Sequence, residues 1–166
     1  MSATARLLDD AFTRIGDDVA TLVDGLTPDQ LAHRIAPDAN PIGWLVWHLL
    51  RVQDDHVSDL AGTDQVWTSA GWTDRFDLPY DTRATGYGQS ADEVSALRTT
   101  SELLAGYAQA VTAATVAWLA KLVDDDLDRV VDDAWDPPVT VGVRLVSVIG
   151  DDLKHLGQAE YVAGLL

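Results

Sequence analysis

The sequence predicts an all-α protein, a four-helix bundle with one long crossover. Three observations carry that prediction. Four long segments space their apolar residues by three and four, which lays each stripe along one helix face. Capping and stopping signals bracket those segments. Alternating strand patterns are scarce in the 166 residues, a length that suits one domain spanning 1–166.

The first helix is predicted from about Thr4 to Asp24, with Leu8, Phe12, Ile15, Val19 and Leu22 as its stripe. Gly25 and Pro28 end it. The second runs from about Pro41 to Leu60, with Asn40 as N-cap and Pro41 at the first helical position. Ile42, Leu45, Leu49, Val52 and His56 form its stripe, and Gly62 closes it. The third is predicted from about Ser90 to Val123, opened by a Ser90/Glu93 capping box. Its stripe runs Val94, Leu97, Ser101, Leu104, Ala108, Val111, Thr115, Trp118, Leu122. Its three small or polar members would let neighbours approach closely or leave room inside. The fourth runs from about Val141 to the C-terminus, capped by Thr140, with Leu145, Ile149, Leu153, Leu156 and Val162 as apolar surface. Before it, Leu127–Val131 and the Val139 region are short β-branched pieces that could pair as a small ribbon. The connection over 62–89 is long, and connections of that length are usually functional. Its Trp67, Trp72, Phe76, Tyr80 and Tyr87 predict packing over one side or end of the bundle.

Composition excludes several functions. Eleven Lys and Arg against 27 Asp and Glu give a formal net charge of −16. That balance argues against nucleic acid and anionic lipid as partners, since binding either means neutralising phosphates with cations. The chain contains no Cys, which removes disulfides, Cys-based zinc sites, iron–sulfur clusters and a Cys nucleophile. The opening MSATARLLDD lacks a signal-peptide run, and the longest apolar stretch is broken at His48 and Arg51. The expected location is cytoplasmic.

Chemistry concentrates on the four His. Asp151 and His155 are four apart on a predicted helix, so both project from one face, one turn apart. Such a pair can chelate one divalent ion or form a plain hydrogen bond. Nearby Val148, Gln158, Ala159 and Val162 make that face apolar or uncharged, as for a core or cleft. A carboxylate there needs a partner. His48 is the natural third ligand, or else a core imidazole satisfied by one hydrogen bond. It lies about 10–12 Å into helix two, and the pair about 15–21 Å into helix four, heights that can meet for parallel or antiparallel helices. His56 with Asp55 and Asp59 is the competing cluster, read as a solvated end of helix two over a second metal site, and His33 has no assigned role. Two His, one carboxylate and open positions make a catalytic rather than structural ligand set. Zinc comes first, with nickel, iron and manganese also suited.

The segments NPIGWLVWHLLRVQDDHV (40–57) and DDLKHLGQAEYVAGLL (151–166), with GWTDRF (71–76) and TGYG (85–88) between them, resemble the DinB/YfiT-like superfamily. They look most like its mycothiol-dependent branch of thiol S-transferases and maleylpyruvate isomerase. The resemblance spans nearly the whole chain in order. It implies a four-helix bundle binding a divalent metal through His48, Asp151 and His155. Many members carry His-x-x-x-His on the last helix. The acidic variant here leaves Asp152 as a substitute for Asp151, because i,i+3 also shares a face.

The resemblance implies a low-molecular-weight thiol such as mycothiol as cosubstrate and a small electrophile as acceptor. Without Cys, the nucleophile must come from outside. Trp44 and Trp47 could wall a cleft; Arg51 and Arg144 could hold anionic substrate parts or face the abundant acids; Gln158 is a further candidate substrate contact. No residue is assigned as catalytic. Three functions follow: a thiol S-transferase, a thiol-dependent isomerase of the maleylpyruvate type, or a non-catalytic metal-binding stress protein. A homodimer is an open expectation.

Overall fold

In the computed structural model, which describes residues 1–166, four long helices carry the chain. They are α1 (Ala3–Val23), α3 (Ile42–Ala61), α7 (Ser101–Leu119) and α8 (Val141–Ala163). Between them lie the short helices α2 (Pro28–Leu31), α4 (Val66–Ser69), α5 (Trp72–Phe76) and α6 (Ala91–Ala96). A ribbon of β1 (Val130–Asp132) and β2 (Val139–Thr140) precedes α8, antiparallel with Val130 opposite Thr140. No helix is long and apolar enough to cross a membrane.

The long helices form a square in which α3 and α1 are diagonal, each flanked by α7 and α8. Gly16 lies against Thr112 and Ser101 donates to the Leu26 carbonyl, so α1 and α7 are antiparallel. His48 faces Asp151 while His56 meets Arg144, so α3 and α8 are antiparallel too. The main core joins Ile15, Val19 and Val23 of α1 to Leu45, Leu49, Leu104 and Leu156. A smaller cluster at the other end holds Phe12, Leu60, Leu119, Val141 and Leu145.

The predicted caps largely hold. The Ser90/Glu93 box is made in both directions, Thr140 accepts from Val143 N, and Gly62 takes the left-handed conformation at φ 67°. Two local expectations are corrected. Pro41, not Asn40, is the N-cap of α3, and its side chain offers no oxygen to the first turn. The third helix is not continuous. At Leu97 the backbone turns extended (ψ 125°), and Thr100 caps a new helix by accepting from Leu103 N. The bend keeps Leu97 buried, against the Gly43 backbone.

The crossover packs on the bundle as expected, through buried Trp67, Trp72 and Phe76, but Tyr87 is 94% exposed. Asp54 anchors it from α3, accepting from Val66 N at 2.9 Å and Trp67 N at 2.7 Å. Tyr107 of α7 donates to the same carboxylate at 2.7 Å. Small and polar residues of α7 face two of its neighbours. A Cβ on Gly106 would meet Trp72 at 2.7 Å, and Thr115 accepts from buried Gln53 at 2.9 Å.

Candidate metal centre

The antiparallel pairing of α3 and α8 brings His48 to Asp151 and His155. Their ligand atoms all lie within 4.8 Å of one another. His48 Nε2 is 3.8 Å from Asp151 Oδ2, and His155 Nε2 is 3.6 Å from Asp151 Oδ1. The imidazole rings lie edge to face, 4.7 Å between centroids.

Both imidazoles are held by their far nitrogens. His48 Nδ1 donates to the Thr85 carbonyl. A carbonyl can only accept, so this bond places the proton on Nδ1 and the lone pair on Nε2. His155 Nδ1 donates to Gln158 Oε1 at 3.0 Å, with the same consequence. Trp44 stacks on His48 at 4.7 Å and 12°, and is itself fixed by donating from Nε1 to Gln89 Oε1 at 2.7 Å. Burial pulls His48 below the ordinary imidazole range, partly opposed by its hydrogen bond to Thr85. At neutral pH the ring is uncharged, as a ligand must be.

The donor set suits a divalent cation. Asp151 Oδ2 is shielded from solvent and has no hydrogen-bond partner. His48 Nε2 faces that oxygen and His155 Nε2 faces the other, Oδ1, an arrangement that suits a cation between them. Bonds of about 2.0–2.2 Å to an ion would space ligand atoms by about 3.3–3.5 Å, so small side-chain rotations suffice. Outer hydrogen bonds of the kind made by Thr85 and Gln158 accompany metal-bound His.

A cavity of about 400 Å³ opens beside the trio, lined by His48, Val52, Asp55, His56, Thr85, Tyr87, Ser147, Val148 and Asp151. His56 is therefore not simply part of a solvated helix end, although Asp59 is exposed. Arg144 Nη1 donates to His56 Nδ1 at 3.0 Å, and its Nη2 lies 3.6 Å from Asp132.

The other sequence candidates divide. Trp44 and Gln158 lie at the trio, as supports of the two imidazoles. Trp47 is buried in the core against Trp67 and Tyr80. Arg51 is corrected: it is fully buried, donating to the Ala84 carbonyl and Tyr107 Oη, 3.6 Å from Asp54 and over the Trp67 ring. It ties the crossover to the bundle and has no access to a ligand. Arg144 is spent on His56 and Asp132. Asp152, the alternative carboxylate, is fully buried and lies outside the cluster. Its carboxyl has no partner, and burial followed by the Asp151 charge pushes its pKa well up.

Sequence reasoning missed Thr85, Gly86 and Gln89. Gly86 has φ +97°, and a Cβ there would lie 2.8 Å from His48 Nδ1 and 2.9 Å from Trp44. Only glycine lets this loop bring the Thr85 carbonyl onto His48. The paired glycines of TGYG were the available signal; a backbone carbonyl has none.

Comparison with known proteins agrees with this architecture. A family model described as mycothiol-S-transferase matches residues 7–165. Among solved structures, the crystal structure of a conserved protein from Enterococcus faecalis is similar, with a TM-score of 0.90 and 31% identity. That match covers 99% of this chain and 97% of the other. No curated protein sequence matches significantly. The family match, spanning nearly the whole chain and both helices of the His–Asp–His cluster, means that the chain belongs to the mycothiol-S-transferase family.

Proposed function

We propose that the protein is a metal-dependent thiol S-transferase, with His48, Asp151 and His155 holding one divalent ion, zinc foremost. Mycothiol or a similar small thiol is the nucleophile, and an uncharged electrophilic small molecule is the acceptor. One observation supports this most. Two imidazoles held through their Nδ1 atoms turn their Nε2 atoms toward the Asp151 carboxylate, one of whose oxygens has no hydrogen-bond partner, beside a cavity. In a chain without Cys, that is where an external thiol would be activated.

An ion bound there supplies Lewis acidity that ionises a coordinating thiol. A free thiol with a pKa of about 8.5 is only a few per cent thiolate at neutral pH, so ionisation gains tens-fold at most. Positioning must supply the rest. Trp44 and the Thr85 carbonyl hold His48 rigid, and Gln158 does the same for His155. Val52 and Val148 give the cavity an apolar wall for the acceptor.

Elemental analysis of the purified protein beside His48→Ala tests the reading. About one equivalent of metal, lost in the variant, and turnover that consumes added mycothiol would support it. Thiol returned unconsumed after each turnover would make the protein an isomerase. Turnover without thiol would point to a hydrolytic metal-bound water. Metal binding without any turnover would favour the non-catalytic reading.

A further inference from the structure

Besides the ligand candidates His48 and Asp151, and Asp55 and Tyr87, the cavity wall holds one further ionisable ring on α3, two helical turns past His48. That ring is His56, about 12 Å along the axis from His48. Its Nδ1 accepts from Arg144, whose guanidinium cannot give up its charge. A ring whose Nδ1 is an acceptor carries its proton on Nε2 when neutral. His56 Nε2 makes no hydrogen bond within the protein and is not among the shielded polar atoms. Burial and the Arg144 charge both hold the ring in the neutral form. Arg144 is in turn fixed by Asp132 of the β-ribbon.

We propose that His56 is a catalytic hydrogen-bond donor that receives the oxygen of an uncharged, carbonyl-activated alkene. This rests on the transferase reading and names the acceptor class. In conjugate addition the thiolate sulfur bonds to the β-carbon. The C=C π pair shifts toward the carbonyl, and its oxygen takes the negative charge as an enolate. His56 Nε2–H bonds that oxygen as its charge grows, and the α-carbon then takes a proton from solvent. A donor fixed before the reaction stabilises such an oxygen more than mobile water does. Arg144 is a positioning residue: it fixes the tautomer, and its charge strengthens the N–H donor. Other charges around the ring argue for an uncharged acceptor. Asp55 and Asp151 line the cavity, Asp59 lies one turn on, and the nearby cation is already paired with Asp132.

Zinc-loaded protein, His56→Phe and His56→Gln test the proposal with mycothiol and two electrophiles, 2-cyclohexenone and 1-bromobutane. The halide has no oxygen to bond. His56→Phe should keep the parent zinc content and lose about 10²-fold in kcat on the enone, with under threefold change on the halide. His56→Gln, which keeps an N–H donor, should recover part of the loss. Independently of turnover, cyclohexanone, the unreactive analogue, should shift the His56 Nε2–H signal in ¹⁵N-histidine spectra of the zinc-loaded protein. That shift without turnover of either electrophile would sustain the donor and overturn the transferase reading. An unmoved signal, equal losses on both electrophiles, or zinc lost with His56 would overturn the proposal.

Discussion

Replacing Gly86 with alanine should damage the candidate metal centre without removing a proposed ligand. The added Cβ would sit 2.8 Å from His48 Nδ1, 2.9 Å from Trp44 and 3.2 Å from Trp47, all closer than ordinary contact. Trp47 is locked in the core, so the loop must retreat. It then carries the Thr85 carbonyl off His48 Nδ1. The left-handed backbone at φ +97° adds strain of about 1–3 kcal/mol. Losing the outer hydrogen bond of a ligating imidazole costs about 10–100-fold in metal affinity. Gly88 is the control, because it has φ +73° and nothing within 4 Å of its would-be Cβ. Gly88→Ala should cost only the backbone term, about 1–2 kcal/mol, and leave affinity alone. Zinc competition against a chelator measures the first effect and urea unfolding the second. Equal zinc affinity in Gly86→Ala and the parent would refute the role given to the Thr85 carbonyl.

Further outcomes follow from the same geometry. His155→Ala should lose bound metal while its helical circular dichroism survives; retained stoichiometric metal would remove it from the site. Asp151→Asn should weaken metal binding far more than Asp152→Asn, and the reverse order in a chelator titration would move the carboxylate ligand. Arg51→Leu leaves Asp54 buried without its cation and should cost about 3–5 kcal/mol in urea unfolding; unchanged stability with a raised KM would return Arg51 to the substrate. Asp152→Asn should stabilise the protein at pH 7 by about 1–3 kcal/mol. The folded carboxyl has a raised pKa, so the unfolded chain ionises first as pH rises. The stability cost therefore grows upward from about pH 4, and the gain from Asn should vanish near that pH.

Local patterns were legible in the sequence, and they gave more than the fold. An i,i+4 pair needs only a helix to bring two side chains together, so Asp151 and His155 could be paired from spacing alone. Caps are equally local, which is why Ser90, Glu93 and Thr140 hold. The break at 97–100 escaped because periodicity records which residues are buried, not whether the backbone between them is straight. Leu97 is buried on either account.

Arg51 and His56 escaped for the opposite reason. Their partners are distant in sequence. Tyr107 lies 56 residues beyond Arg51, and Arg144 lies 88 beyond His56. On a sequence of net charge −16, either residue reads as one more solvated polar group. Folding separates them. Asp54 takes Arg51 into the core, where two backbone N–H groups and Tyr107 share the carboxylate. The antiparallel α3/α8 pairing instead gives His56 an arginine on one nitrogen and leaves the other without a protein partner, on a ring that lines the cavity. That pairing also sets His48 against Asp151, a choice the helical heights had left open. One register between two helices thus fixes both ends of the cavity, the cation-seeking cluster and the free N–H donor. A one-turn slip would misplace both ends together.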